Sequence, residues 1–316
     1  MSIRYVMDSG IYDDFIRASR LSKPMTGLIR GVSVTDSLQS FALQGHLKKM
    51  QAHLEAGKVT YALPVENELL PVSQLLGKKL SLSWQGAIHC CHCGRKTNKS
   101  FNQGFCYPCF RSLPQCDRCI VSPETCHYFE GTCRDATWGE TYCMTDHVVY
   151  LANSSGIKVG ITRATQVPTR WIDQGAVQAM PLLRVATRQQ SGLIETILKA
   201  SVKDKTNWRT MLKGHIPPMD LPEAGKQLLE QHQDEIMVLQ QQFGVQAIQP
   251  VSSPDVMALD YPVLEYPVKV ASLSFDKTPD VQGILMGIKG QYLIFDCGVL
   301  NIRKHTAYQV KISVLE

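Results

Sequence analysis

The stretch VVYLANSSGIKVGITR, residues 148–163, predicts a β-hairpin. Val148 to Leu151 and Ile157 to Thr162 are two apolar runs of the kind that form strands. Between them stands Asn-Ser-Ser-Gly, whose residues tolerate the positive φ angles of a tight turn. The stretch suits an ordinary hairpin and also the opening of a catalytic domain, so the sequence on either side has to distinguish the two.

Downstream of the hairpin, the pattern predicts a helix, a strand and a second helix. Pro168 to Asp173 can open a short helix that ends near Gly175, and Gln178 to Thr187 reads as a third strand. Ser191 can cap the helix that begins GLIETILKASV. The expected order is therefore strand, strand, helix, strand, helix.

This order, together with particular residues, resembles the GIY-YIG nuclease domain. VVY at 148–150 stands where that family has GIY, and KVG at 158–160 stands where it has YIG. Arg170 lies near the place of the family's catalytic arginine, and Glu195 lies on the second helix, where the family keeps its metal-binding glutamate. The resemblance implies a small ββαβα domain at residues 147–215 that acts on nucleic acid.

The resemblance also implies roles for individual residues. Tyr150 would assist as the base, Arg170 would bind the phosphate, and Glu195 would hold Mg²⁺ or Mn²⁺, which prefer oxygen ligands. Gly160 would let the backbone of the nucleic acid come close, and Lys158 and Arg163 would add phosphate contacts.

Two features depart from the family pattern. Lys158 stands where the second tyrosine would be, and the family's histidine between the helices is missing, with only His147 close in sequence. Three hypotheses follow: an endonuclease, a non-catalytic nucleic-acid-binding protein with a degenerate nuclease fold, and a zinc-dependent adaptor that binds protein.

Ten of the eleven cysteines lie between Cys90 and Cys143. Pairs with C-x-x-C spacing in a chain of this size are typical of metal sites, whereas disulfides dominate in small secreted proteins. The first set is Cys90, Cys93, Cys106 and Cys109, which can complete the tetrahedral shell of a structural zinc. Cys91 is an alternative to Cys90, and disulfides or an iron–sulfur cluster are alternatives to zinc.

The second set is ambiguous, because it has more candidate ligands than one zinc needs. The preferred ligands are Cys116, Cys119, Cys133 and Cys143. The reserves are Cys126, His127 and His147, and a two-metal cluster with shared thiolates is a further alternative. Together the two sets predict a zinc ribbon module at residues 89–146 with two structural zinc ions.

The flanking regions complete an α+β fold. Residues 1–88 are expected to be β-rich with one helix near Ser37 to Gly57, and residues 247–316 are expected to form a small β-sheet or barrel. Residues 216–246 form a helical segment, with a helix over 221–244. The two β-rich regions could pair, since chain ends often meet.

The charge distribution favours an anionic partner more than the net charge of +5 does. From Gly156 to His215 there are ten Lys and Arg against three acids, which suits either phosphate contact or a solvated basic face. No apolar run is long enough to span a membrane, and the N-terminus lacks the pattern of a signal peptide. We therefore expect a cytoplasmic protein; its oligomeric state and its choice between DNA and RNA cannot be predicted.

Nearly the full length also resembles a family of uncharacterised bacterial proteins that is known only as a domain of unknown function. The stretches that carry this resemblance are FCYPCFRSLPQCDRC, CHYFEGTCRDATWGE and VYLANSSGIKVGITRATQVPTRWIDQGA. The resemblance implies no particular activity.

Overall fold

The computed structural model describes residues 41–202 and 207–315 and has a mixed α+β fold. The strands are β1 (Ala42–His46), β2 (Gln51–Glu55), β3 (Lys58–Val65), β4 (Glu68–Leu70), β5 (Lys79–Ile88), β6 (His147–Asn153), β7 (Ile157–Arg163), β8 (Gln178–Val185), β9 (Ile248–Pro250), β10 (Met257–Ala258), β11 (Ser272–Leu273), β12 (Asp280–Lys289), β13 (Tyr292–Phe295), β14 (Gly298–Asn301) and β15 (Tyr308–Leu315). The α-helices are α1 (Tyr107–Ser112), α2 (Ala136–Tyr142), α3 (Thr169–Asp173), α4 (Arg188–Lys199), α5 (Trp208–Leu212), α6 (Leu221–Gln231) and α7 (Gln233–Phe243).

The largest sheet interleaves strands from both ends of the described chain. Its seven strands run in the order β1-β15-β5-β12-β13-β14-β11. Strand β5 pairs with β15, with Leu82 opposite Ile312, and on its other side with β12, with Leu82 opposite Val281. The two β-rich regions therefore form one sheet with a shared core, and residues 1–40 lie outside the described part of the chain.

A second sheet carries the hairpin that was predicted from the sequence. Strand β6 lies between β7 and β8 and is antiparallel to both, and β8 also pairs with β9 and β10. The N–H of Gly156 donates to Oδ1 of Asn153 at 3.3 Å, which closes the hairpin turn. The elements from β6 to α4 follow the expected order of strand, strand, helix, strand, helix.

The two faces of this second sheet pack against different partners. Val149, Leu151 and Val159 are buried in a cluster with residues of helix α4, such as Ile194. On the other face, Tyr150 lies in the core shared with the largest sheet. The hairpin is thus enclosed on both sides. A third, smaller sheet has the order β2-β3-β4.

The Cys-rich segment 89–146 does not have the strands of the zinc ribbon that was predicted for it. It contains α1, α2 and four short 3₁₀ turns, and its β-structure is limited to two isolated bridges, His89–Lys96 and Phe101–Phe105. A short segment with few apolar side chains gains more from turns that aim thiols at one point than from strands that need a sheet partner. The segment is therefore a set of turns and short helices, and the predicted ribbon architecture is wrong.

Two expected helices are corrected by the structure. The helix expected near Ser37 to Gly57 is instead strands β1 and β2 in the described residues, because residues 42–46 pair with β15 and residues 51–55 with β3. The helix over 221–244 is two helices that meet at His232, whose buried ring contacts Ser201 Oγ at 2.8 Å.

Helix α4 begins three residues before Ser191. Thr187 caps it through a reciprocal capping box with Gln190, so Ser191 lies inside the helix. Cys297, the one cysteine that lies outside the segment from Cys90 to Cys143, is exposed. Within residues 41–202 and 207–315, no helix combines the length and apolar character that crossing a membrane requires.

Candidate functional site

The first cysteine set converges on one point. The sulfur atoms of Cys90, Cys93, Cys106 and Cys109 all lie within 4.8 Å of one another, and the Cys93 and Cys106 sulfurs are 3.7 Å apart. Four sulfurs at about 2.3 Å from a tetrahedral zinc would be separated by roughly 3.8 Å. These cysteines form no disulfide. The cluster could therefore bind zinc.

The local backbone favours an ionised sulfur at Cys90, whereas burial and the neighbouring thiols raise the pKa of Cys109. Burial opposes ionisation of the Cys90 thiol, but backbone N–H groups of Cys93, Cys106 and His92 outweigh it and lower the pKa of Cys90 to about 6. Thiolate is the form that binds metal. Cys91, the alternative ligand, is exposed and does not belong to the four-sulfur group.

Part of the second cysteine set lines a cavity of about 10 Å³ beside the 3₁₀ turns and helix α2. Its lining includes Cys119, Cys126, Cys133 and Cys143. Cys116, a predicted ligand, is not part of this lining, and its sulfur accepts a hydrogen bond from Asn102 Nδ2 at 3.4 Å.

The two reserve histidines lie in different surroundings. His127 belongs to a group with Asp117 and Cys119 whose candidate ligand atoms lie within 4.8 Å of one another. Asp117, however, also pairs with Arg134 at 2.8 Å. His147 is fully buried and its Nδ1–H donates to the carbonyl of Thr145 at 2.6 Å, and burial lowers its pKa to about 4.

Tyr150 is the centre of the hairpin domain. Its side chain is fully buried, lies against Trp171 with ring centroids 5.7 Å apart, and donates from its hydroxyl to Gln174 Oε1 at 3.1 Å. Burial raises the pKa of Tyr150 to about 12. At neutral pH its phenol is therefore a neutral hydrogen-bond donor, and the base role implied by the resemblance does not suit this environment.

Arg170 and Glu195 approach Tyr150 from two different helices. After burial, the positive charge of Arg170, which lowers the pKa of Tyr150, and the negative charge of Glu195, which raises it, are the largest influences on this phenol. Arg170 and Glu195 thus both lie within electrostatic range of Tyr150. Glu195 also pairs with Lys199, with 3.2 Å between the carboxylate and Nζ.

Gly160 lies directly opposite Tyr150 across the hairpin. A Cβ added to Gly160 would stand 2.6 Å from Cζ of Tyr150, so the tyrosine ring covers the glycine. The nucleic-acid approach expected at Gly160 is therefore blocked by the side chain of Tyr150 in this conformation. The physical role that remains for Gly160 is to make room for the ring.

The other two predicted contact residues lie at the two ends of strand β7. Lys158 is nearly buried and lines a cavity of about 240 Å³ together with Gln174, Trp208 and Arg303. The Arg163 guanidinium stands over the ring of Tyr142, 4.9 Å from its centroid. Lys158 therefore faces an open pocket, while Arg163 lies beside the Cys-rich segment.

Four arginines concentrate positive charge around this site. Burial lowers the pKa of Arg188, and the charges of Arg163 and Arg170 lower it further. Burial likewise lowers the pKa of Arg303, with a further lowering from Arg170. Arg170 therefore lies within electrostatic range of two other guanidinium groups, and an anion bound here would reduce their mutual repulsion.

Much of the basic segment 156–215 is committed to contacts within the protein. Arg184 pairs with Asp146 at 2.7 Å, Lys199 pairs with Glu195, and Arg209 stacks over Trp208. The count of basic residues thus overstates the free positive surface. The concentration of charge at Arg170 is the stronger argument for an anionic ligand.

Three residues near this site were not predicted from the sequence: Gln174, Arg188 and Arg303. Gln174 has a weak signal, since it follows helix α3 one turn after Arg170. Arg188 and Arg303 have no such signal in the sequence. Their distance from Arg170 depends on how the Cys-rich segment and the largest sheet pack against the hairpin domain.

The comparison with known proteins gives a family but no activity. No curated protein matches this chain, and no solved structure does. Residues 77–310 match a family model described as "Protein of unknown function (DUF2797)", and this match spans most of the 316 residues. The chain belongs to the DUF2797 family.

Proposed function

We propose that this protein processes nucleic acid as a metal-dependent endonuclease of GIY-YIG type, with its site at Tyr150, Arg170 and Glu195. The observation that carries the proposal is the convergence of Arg170 and Glu195 on the buried phenol of Tyr150. A cation, a carboxylate and a fixed hydrogen-bond donor in one site are the groups that phosphodiester cleavage requires.

Arg170 is the phosphate-binding group in this proposal. The repulsion between Arg170 and both Arg188 and Arg303 favours an anion at this position, since a phosphate would offset part of this positive charge. The charge that develops on the phosphate during cleavage would strengthen this contact.

Glu195 is the proposed ligand for Mg²⁺ or Mn²⁺. Among residues 41–202 and 207–315, the groups of three or more metal-ligating side chains do not include it, so Glu195 would supply one carboxylate. Such a site fits magnesium only where water and substrate phosphate complete the shell, as they often do. The bound ion would supply a Lewis acid and lower the pKa of a bound water.

Tyr150 acts in this scheme as a neutral donor. Its pKa of about 12 keeps the proton on the phenol, and its hydrogen bond to Gln174 fixes the hydroxyl. The zinc expected at the first cysteine cluster has a structural role, since four protein ligands leave no open position for substrate.

A non-catalytic nucleic-acid-binding protein is the second candidate, and particular contacts favour it. Tyr150 is fully buried, and Lys199 pairs with the carboxylate that would hold the metal. A degenerate nuclease fold would keep phosphate affinity at Arg170 and lose the cleavage chemistry.

A cleavage assay separates these candidates. Purified wild-type protein is incubated with mixed DNA and RNA in Mg²⁺ or Mn²⁺, next to Glu195→Gln and a control, Glu230→Gln, which removes an exposed carboxylate from helix α6. We expect metal-dependent cleavage by the wild type and the control and a loss of at least a hundredfold in Glu195→Gln.

Each other outcome selects a different interpretation. Equal cleavage by Glu195→Gln would rule out this site as the source of the activity. Salt-sensitive binding without cleavage would favour the second candidate. An absence of both binding and cleavage would favour the zinc-dependent protein adaptor.

A further inference from the structure

The segment from Pro114 to Asp146 holds a defined shape with almost no apolar core. Its buried residues are Cys116, Pro123, Gly139 and Cys143, and none of them has a large apolar side chain. Its secondary structure is limited to 3₁₀ turns and the seven-residue helix α2. Segments this poor in buried apolar surface need a covalent or metal cross-link to keep one conformation.

Four free cysteines are the groups available for that cross-link. Cys119, Cys126, Cys133 and Cys143 line the cavity of about 10 Å³, and none of them forms a disulfide. That volume is close to the smallest that holds one water-sized body, so it suits a single ion. Thiolates favour zinc among the common divalent ions.

A cation lies beside the cavity, on the helix that packs against this segment. Arg188 is half-buried, and Cys143 and Cys119 lie within its electrostatic range. Its guanidinium donates to the carbonyl of Ile120 at 2.6 Å. A zinc ion with four thiolates has a net charge of −2, and a guanidinium held next to it is a suitable counter-charge.

We infer that Cys119, Cys126, Cys133 and Cys143 bind a second structural zinc ion, with Arg188 as its counter-ion. This ligand set replaces Cys116 of the C-x-x-C pair with Cys126. The spacing of six, six and nine intervening residues between ligands has no knuckle pattern, which explains why the sequence pointed to Cys116.

The inferred zinc lies against the helix that carries Glu195. The N–H of Arg188 donates to the carbonyl of Cys143 at 2.8 Å, and Gln189 Nε2 donates to the carbonyl of Cys126 at 3.0 Å. A Cβ on Gly192 would stand 2.5 Å from the backbone nitrogen of Glu124, so helix and segment touch at this glycine. The zinc would thereby fix the start of helix α4, whatever reaction the protein performs.

Metal content of the full chain tests the inference without any assay of activity. After dialysis against buffer without added metal, elemental analysis should find two zinc ions per wild-type chain and one in Cys126→Ser. Cys116→Ser is the matched control and should keep both. Loss of zinc from Cys116→Ser with retention in Cys126→Ser would overturn the ligand set, and one zinc per wild-type chain would overturn the site.

Alkylation of the wild-type protein covers the case in which Cys126→Ser fails to fold. Cys126 and Cys133 are only partly buried, so protection of their sulfurs from iodoacetamide would come from bound metal. Mass spectrometry should show labelling of the exposed Cys91 and Cys297 at once, and of Cys126 and Cys133 only after chelation. Prompt labelling of Cys126 and Cys133 in zinc-loaded protein, or their recovery as a disulfide, would contradict the inference.

Discussion

At the scale of single residues, the pair formed by Tyr150 and Gly160 determines the centre of the candidate site. Both residues were singled out from the sequence because they match a known motif. The sequence could not show that the ring would cover the glycine or that burial would raise the pKa of Tyr150, because both depend on the strands and helices that enclose the hairpin. The candidate residues were predictable, whereas their protonation and access were not.

Substituting Gly160 tests this packing. Gly160→Ala places a methyl group 2.6 Å from Cζ of Tyr150, in a strand enclosed on both sides. We expect overpacking to lower the free energy of unfolding by about 1–3 kcal/mol, measured by urea denaturation.

A double-mutant cycle provides the control for that prediction. In a Tyr150→Leu background the ring is absent, so Gly160→Ala should cost much less than in the wild type. Equal costs in the two backgrounds would show that the ring and the glycine are not coupled.

At the scale of secondary-structure elements, the sequence predicted those elements whose positions depend on contacts between residues close in the chain. The hairpin β6–β7 and the short helix α3 lie close to where their turn residues and Pro168 placed them. Helix α4 was predicted with the wrong cap, although Thr187 and Gln190 have the spacing of a capping box. The strands at 42–55 were missed because their pairing with β15 and β3 outweighs the helical spacing of their apolar residues.

The cap of helix α4 can be tested by one substitution. Thr187→Ala removes the side chain that accepts from the N–H of Gln190, so we expect the protein to lose about 1 kcal/mol of unfolding free energy. Thr196→Ala, at an exposed position inside the same helix, should cost less than half of that. A Thr187→Ala protein as stable as the wild type would mean that the helix start is held by the Cys-rich segment alone.

At the scale of the whole molecule, the chain encloses the hairpin domain between the Cys-rich segment and a sheet built from both β-rich regions. The sequence indicated β-structure in each region, yet pairs such as Leu82 with Ile312 are far apart in the chain and leave no local signal. The same packing brings Arg188 and Arg303 towards Arg170. The positive charge of the site is therefore a property of the assembled fold.

In the proposed function, Arg170 contacts a nucleic-acid phosphate whether or not cleavage follows. The most direct measurement is the affinity for a DNA duplex and for a single-stranded RNA over a range of salt concentrations, in buffer without divalent metal. Arg170→Ala is compared with the wild type and with Lys226→Ala, which removes an exposed charge from helix α6. The loss of one phosphate contact should reduce the slope of log K against log salt by about 0.9 for DNA or about 0.7 for single-stranded RNA in Arg170→Ala alone. An unchanged slope in Arg170→Ala, or the absence of salt-sensitive binding by the wild type, would contradict the claim.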